Sequence, residues 1–440
     1  MKLRNLIIAI AVLAGLAGTL YWSNRHQPNG TTEASAPASP KILSLKEDDI
    51  TKIVLKKKDA PDVVLTKDSA GKWQITAPQQ LPAEQATVSP ILSTLSSLSS
   101  DRLVEEKSSN LSQYGLAEPA LEADVTEKNN QSQKLLLGDS TPTGNAMYAK
   151  LDGDPRIFTV FAYTKVGLDK GVNDLRDKRL LTVDPEKISR VELTAKKQTV
   201  EFGRSKDGWQ IVKPQPARAD SFKVDELVRT LTDARMDLSA TDDPKKLAAS
   251  FASASPLATA KVTDSAGTQE LYVRKNKDDY YAKSSAVQGV YKVPNNVGTG
   301  LDKGFDDFRN KKLFDIGFND PNKIEIHDGP KSYLLTRNGS DWWNATGQKM
   351  DLGGMSSLLE NVRNLSADKF PDKGFTASDV SIAVTSDEGK KTEKILLSKS
   401  GGNYIAKREN EPALYEVSSK AIDDLAKSAA DLKPAVPPKK

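Results

Sequence analysis

Three stretches of the chain alternate apolar and polar residues with the period of a strand, and each runs through a glycine-bearing turn into a tryptophan. Ile53, Val54 and Leu55 lead to Gly71-Lys72-Trp73, and Val191, Leu193 and Val200 lead to Asp207-Gly208-Trp209. In the third stretch Ile324, Ile326, Leu334 and Leu335 lead through Asn338 and Gly339 to Trp342. Strand propensity broken by such turns predicts hairpins. The period then changes. Val88, Ile91, Leu92, Leu95 and Leu98 recur at helical spacing, as do Val224, Leu227, Val228 and Leu231, and Met355, Leu358, Leu359, Val362 and Leu365. Each set predicts a helix with one apolar face to lay on a sheet. Pro78 and Pro82 before the first helix, and Pro214 and Pro216 before the second, predict extended approaches, because proline fixes φ.

A second strand group closes each stretch. Its markers are Tyr148-Ala149-Lys150, Tyr281-Ala282-Lys283 and Tyr404-Ile405-Ala406-Lys407, followed by Phe158, Tyr291 and Tyr415 at corresponding places. With the tryptophans about 135 residues apart, the body is read as three copies of one unit, each large enough to own a core. The expected fold is α+β: three tandem repeated domains, each a mainly antiparallel sheet with one principal helix, behind an N-terminal transmembrane helix. The expected boundaries are an anchor over 1–26, a linker over 27–41, repeats over 42–186, 187–320 and 321–432, and a tail over 433–440.

The first repeat ends in Leu175-Arg176-Asp177-Lys178-Arg179-Leu180-Leu181 and the second in Phe308-Arg309-Asn310-Lys311-Lys312-Leu313-Phe314. These basic segments are read as junctions leading into the next strand, with anion binding as the sharper alternative. The third copy has no such segment before its Pro-Lys tail, as an end repeat allows.

The first residues follow a different pattern. Lys2 and Arg4 precede an uncharged apolar run, and residues 6–22 would span about 26 Å as a helix. This predicts a membrane anchor in contact with lipid through residues 6–22. The basic start puts the N-terminus in the cytoplasm and the body in the periplasm, single-pass in a bacterial inner membrane. A cleaved signal peptide, with Gly15 and Ala17 as the small pair, is the alternative and leaves the body soluble in the periplasm. Residues 27–40, rich in Pro, Ser, Thr and Ala, read as a spacer.

Composition narrows the chemistry. The 440 residues carry 63 Lys and Arg against 59 Asp and Glu, a formal charge of +4 that is no nucleic-acid footprint. Cysteine is absent, which removes disulfides, thiolate nucleophiles and cysteine-ligated metal. His327 beside Asp328 suggests a general base, but neighbours on a strand point to opposite faces. His26 falls in the flank of the anchor. Ser366 and Lys369 have the spacing of a serine-lysine pair without the supporting elements. Asp152-Gly153-Asp154 reads as a turn before calcium, and Gly353-Gly354 as a loop or kink at the third helix before a cofactor cradle. Trp73, Trp209 and Trp342 suit core packing better than carbohydrate stacking. No catalytic, cofactor-binding or metal-binding residue is nominated, and no cofactor is expected.

The Gly-Trp hairpin, the proline-bearing approach to an amphipathic helix and the stretch Tyr114-Gly115-Leu116-Ala117-Glu118-Pro119 together resemble the bacterial membrane-anchored proteins that carry the uncharacterised DUF4340 domain. The Tyr-Gly-Leu-x-x-Pro element is plain only in the first copy, weakened to Lys373-Gly374-Phe375 in the third and nearly lost in the second around Phe251 to Pro256. The resemblance transfers no catalytic residues. It implies association with envelope ABC-type transport or gliding-type auxiliary systems. The functional expectation is a noncatalytic, membrane-anchored envelope scaffold or partner-binding protein, one form of which is accessory to an ABC-type transporter, its partners being envelope or membrane proteins and not nucleic acid. Two alternatives stand beside it: a carboxylate-based hydrolase acting on envelope glycan or peptide, and small-ligand binding between adjacent domains.

Overall fold

The structure, a computed structural model, describes residues 40–206, 208–239, 243–317 and 319–436. It divides into two compact units, one ending at Asp177 and one beginning at Lys178.

The first unit holds one sheet. Strands β1 (Ile50–Lys57), β2 (Val63–Lys67), β3 (Trp73–Ala77) and β4 (Leu81–Pro82) form a meander, and helix α1 (Gln85–Ser96) crosses back over it. Then come β5 (Arg102–Glu105), β6 (Leu121–Glu127), β7 (Ser132–Ser140), β8 (Ala146–Leu151), β9 (Ile157–Phe161) and the short helices α2 (Ala162–Leu168) and α3 (Val172–Leu175). The order is β4-β3-β2-β1-β6-β7-β8-β9-β5, so the two meanders join where β1 pairs with β6. Alternation decides the faces. Ile53, Leu55, Leu65 and Ile75 point under the helix and meet its buried Val88, Ile91, Leu92 and Leu95, while the partners between them face water. The exposed face carries charge pairs such as Lys56 with Asp124 and Lys134 with Glu122.

The second unit repeats the plan twice. Its first sheet uses β10 (Arg190–Ala195), β11 (Gln198–Ser205), β12 (Gly208–Lys213), β13 (Ala217–Arg218), β14 (Ser255–Asp264), β15 (Gly267–Asn276), β16 (Asp279–Ser284) and β17 (Val290–Val293), with helices α4 (Ser221–Thr232), α5 (Pro244–Ser253) and α6 (Asn295–Leu301). The other uses β18 (Lys323–Asp328), β19 (Lys331–Asn338), β20 (Asp341–Asn344), β21 (Val380–Ser386), β22 (Lys391–Ser400), β23 (Asn403–Arg408) and β24 (Leu414–Ser418), with α7 (Leu352–Asn364) and α8 (Ser419–Ala430). Their orders, β13-β12-β11-β10-β14-β15-β16-β17 and β20-β19-β18-β21-β22-β23-β24, are the same path, antiparallel throughout. Three antiparallel sheets with a principal helix each are therefore present, and each has its own buried core.

Register refines one match between the copies. Ala149, Ala282 and Ala406 pair with Phe158, Tyr291 and Tyr415. This confirms that aromatic position and puts Ile405, not Tyr404, in line with Tyr148 and Tyr281.

The junction of the second and third domains has no slack. Asn310 N donates to Arg218 O of the second domain, and the carbonyl of the next residue, Lys311, accepts from Ala367 N of the third. At the C-terminal end, Lys433 to Ala435 takes the place of such a segment: Pro434 bridges Met350 as Arg309 bridges Ala219 and Arg176 bridges Ala83.

The expectation of an N-terminal transmembrane helix is corrected. Among the described residues no helix is long and apolar enough to cross a membrane. The longest, α7, has 13 residues and spans about 20 Å against a hydrocarbon layer of about 30 Å. Residues 6–22 lie outside the described residues. The anchored fold, the single-pass inner-membrane location, the lipid contact and the membrane-anchored form of the family resemblance therefore have no support, and the anchored scaffold falls with them.

Candidate functional site

The residues singled out by sequence do not converge. Trp73, Trp209 and Trp342 are 4%, 3% and 2% exposed, each on the buried face of its sheet, so no stacking surface exists there. Trp209 Nε1 donates to Asp225 Oδ1 at 3.0 Å, giving the indole the partner that burial demands. His327 lies on the exposed face of β18 with Nδ1 3.0 Å from Ser332 Oγ across the hairpin, and Asp328 points the other way. Ser366 and Lys369 sit on an extended segment that bridges Lys312 at one residue and Glu416 at the other. An odd offset on extended chain separates their side chains, so they form no dyad. Asp152 to Asp154 is a turn with Gly153 at φ +80°, and Asp154 is held below the usual carboxylate range by its hydrogen bonds from the Arg156 guanidinium. Among the described residues no group of three or more His, Cys, Asp or Glu could hold a metal ion. Gly353 and Gly354 form the first turn of α7, where Gly354 N donates to the N-cap Asp351 at 2.9 Å. His26 lies outside the described residues.

The Tyr114-Gly115-Leu116 element is a structural lid. Gly115 takes φ +66°, and a Cβ there would sit 2.5 Å from the Asp139 side chain. Leu116 and Tyr114 pack on Ile157, forming a small cluster apart from the main core. Tyr114 stands edge-on to Tyr148 at 4.8 Å and donates to Glu105 at 2.7 Å, a bond that lowers the carboxyl and raises the phenol from their ordinary values. The second domain puts α5 after its principal helix instead, with Phe251 against the Arg274 guanidinium.

The feature that sequence reasoning missed lies where the second and third domains meet. Arg218, at the end of β13, reaches into the third domain. Its Nη1 is 2.8 Å from Asp315 Oδ2, its Nε 2.9 Å from Glu411 Oε1, and its Nη2 donates to Lys312 O at 2.5 Å and to Tyr415 Oη at 3.3 Å. Behind these acceptors Arg408 bonds Glu411 Oε1 and Glu393 Oε1, each at 2.7 Å, and also the carbonyl of Leu313. Tyr415 Oη donates to Glu411 Oε2 at 2.7 Å, and Asn310 Nδ2 to Asp315 Oδ1 at 3.0 Å. Burial works against the Arg218 charge, but Tyr415, Asp315 and Glu411 outweigh it and hold the guanidinium above its ordinary value. Burial alone would raise Asp315, yet Arg218 keeps its carboxyl below the usual range. Burial is the main reason the Tyr415 phenol is held above its ordinary value; Arg218 pulls it down, and the bond to Glu411 adds to the rise.

A second contact crosses the same joint. Arg309, 8% exposed, lies 3.6 Å from the ring centre of Phe370 and 5.1 Å from that of Phe305, and pairs with Asp306 at 3.2 Å. Arg309 of the basic junction segment is thus built into packing here. Beside it runs a cleft of about 400 Å³ whose walls include Asp307 and Lys311 of the second domain and Asp368, Lys369, Phe370 and Glu416 of the third. Among the described residues Lys311, Asp368 and Lys369 have no ion-pair partner.

The signal for the ionic joint was in the copies themselves. Aligned by strand register, Thr182, Gln269 and Ser284 of the second domain become Asp315, Glu393 and Arg408 of the third. Three neutral positions turn charged together.

Neither a curated protein nor a solved structure matches the chain. A family described as "Domain of unknown function (DUF4340)" matches residues 73–210 and 209–381. Both matches start at a tryptophan of the Gly-Trp hairpin, so the family's frame runs from one domain's first meander into the next. Together the matches cover more than half of the sequence, and the chain belongs to the DUF4340 family.

Proposed function

We propose that this chain is a noncatalytic binding protein of repeated DUF4340 domains, and that the joint of its second and third domains takes a small zwitterionic ligand such as an amino acid or a peptide terminus. The observation that supports this reading is the cleft of about 400 Å³ at the joint. Its volume falls in the range of small-molecule sites, which favour domain boundaries. Two ammonium groups, Lys311 and Lys369, and the Asp368 carboxylate face it without ion-pair partners among the described residues, next to the apolar ring of Phe370. Charges of both signs lining one cleft suit a ligand that carries both. Calorimetric titration of the whole chain with free amino acids and short peptides tests the reading. Saturable binding to charged zwitterions that is lost in Lys369→Ala and Asp368→Ala supports it. Equal affinity for uncharged sugars, or no binding across the panel, would overturn it.

A further inference from the structure

We infer that Arg218 and its acceptors are a lock that fixes the second domain against the third, and that breaking this one side chain's contacts sets the two domains swinging. The inference rests on what crosses the joint. Arg218 is the only second-domain side chain described as reaching Asp315, Glu411 and Tyr415 of the third, and its own side chain is 15% exposed there. Beside it the Arg309 guanidinium stacks on Phe370 and the Asn310 side chain bonds Asp315, both from the junction segment itself. A joint made of charges differs from one made of apolar surface. On separation, Arg218, Asp315 and Glu411 regain water, so much of their mutual attraction is returned as hydration. Domains joined through small polar interfaces move relative to one another by default. The lock is therefore what holds the joint in one geometry, and it holds whether or not the neighbouring cleft binds a ligand.

The absence of cysteine gives a clean test in the full chain. Asp278→Cys in the second domain and Lys331→Cys in the third, both exposed, accept spin labels at two sites only. Double electron–electron resonance should show one narrow distance distribution in the otherwise native chain. Arg218→Met, which keeps the stem and removes the charge, should widen it about twofold while circular dichroism keeps its sheet signal, as expected of domains freed to move. Glu411→Gln weakens the lock from the other side and should widen it in the same direction, which keeps the test decisive if Arg218→Met fails to fold. An unchanged narrow distribution in a folded Arg218→Met or Glu411→Gln chain would overturn the inference. Widening in both supports it.

Discussion

The leading edges of the second and third domains solve one structural problem with two chemistries. In the second, Gln269 bonds both the backbone N and the hydroxyl of Thr182, at 2.8 and 3.0 Å, and Ser284 donates to the carbonyl of Leu180. In the third, Glu393 accepts from the backbone N of Asp315 at 3.1 Å, and Arg408 donates to the carbonyl of Leu313. Strand register and backbone targets are the same, and the side chains change from neutral to ionic. The ionic set is found where a guanidinium from the preceding domain is inserted into it. The position of Arg218 in the first domain belongs to Pro82, which has no side-chain donor. Neutral groups are enough to tie a strand to its own sheet, and the charges serve the joint.

The comparison can be broken in a graded way. The largest effect is expected from Arg408→Ser alone, which takes from the buried Glu393 its guanidinium partner. It should destabilise the third domain by about 3–5 kcal/mol in urea unfolding followed by tryptophan fluorescence. Neutralising the whole site, with Asp315→Thr, Glu393→Gln, Arg408→Ser and Glu411→Gln together with Arg218→Met, should cost less than that single change, about 1–2 kcal/mol, because no charge of the lock is left buried and unpaired. A larger loss in the combined variant than in Arg408→Ser would show that the two edges are not interchangeable. Ser284→Ala removes one neutral hydrogen bond from the second domain and should cost about 1 kcal/mol.

The smallest effect is in pH. Asp315 is held below its ordinary value, so its contribution is complete above the unfolded carboxylate value of about 3.9 and is lost as pH falls through the folded value. Tyr415 is held above its own, so its contribution is complete below about 10 and is lost as pH rises beyond that. The urea midpoint should fall at both ends. Asp315→Asn should flatten the acid limb and Tyr415→Phe the alkaline one, while Ser284→Ala changes neither.

Much of this fold was written in local periodicity. Val88 to Leu95, Val224 to Leu231 and Met355 to Val362 mark the three principal helices because their buried faces need apolar residues at helical spacing. The aromatic pairings of Ala149, Ala282 and Ala406 were legible for the same reason, since a strand's inward positions alternate. The joint was not legible. Arg218 reads as an ordinary basic residue in a chain with 63 of them, and its acceptors lie roughly 95 to 200 positions away. Only pairing register brings Asp315, Glu393, Arg408 and Glu411 to one place. The N-terminal run misled in another way: apolar length behind a positive start describes a segment's composition, and no helix among the described residues is long and apolar enough to cross a membrane.

The link through Asn310 and Lys311 sets the kinetics of anything the lock does. With adjacent residues bonded to different domains, there is no tether along which an unlocked domain could drift away. Opening is a rotation about a few backbone bonds, and the two halves of the lock stay at a high effective concentration, which short connections keep in the millimolar range or above. Reclosure is then a unimolecular event, independent of protein concentration, and its equilibrium answers to the chemistry of the joint alone.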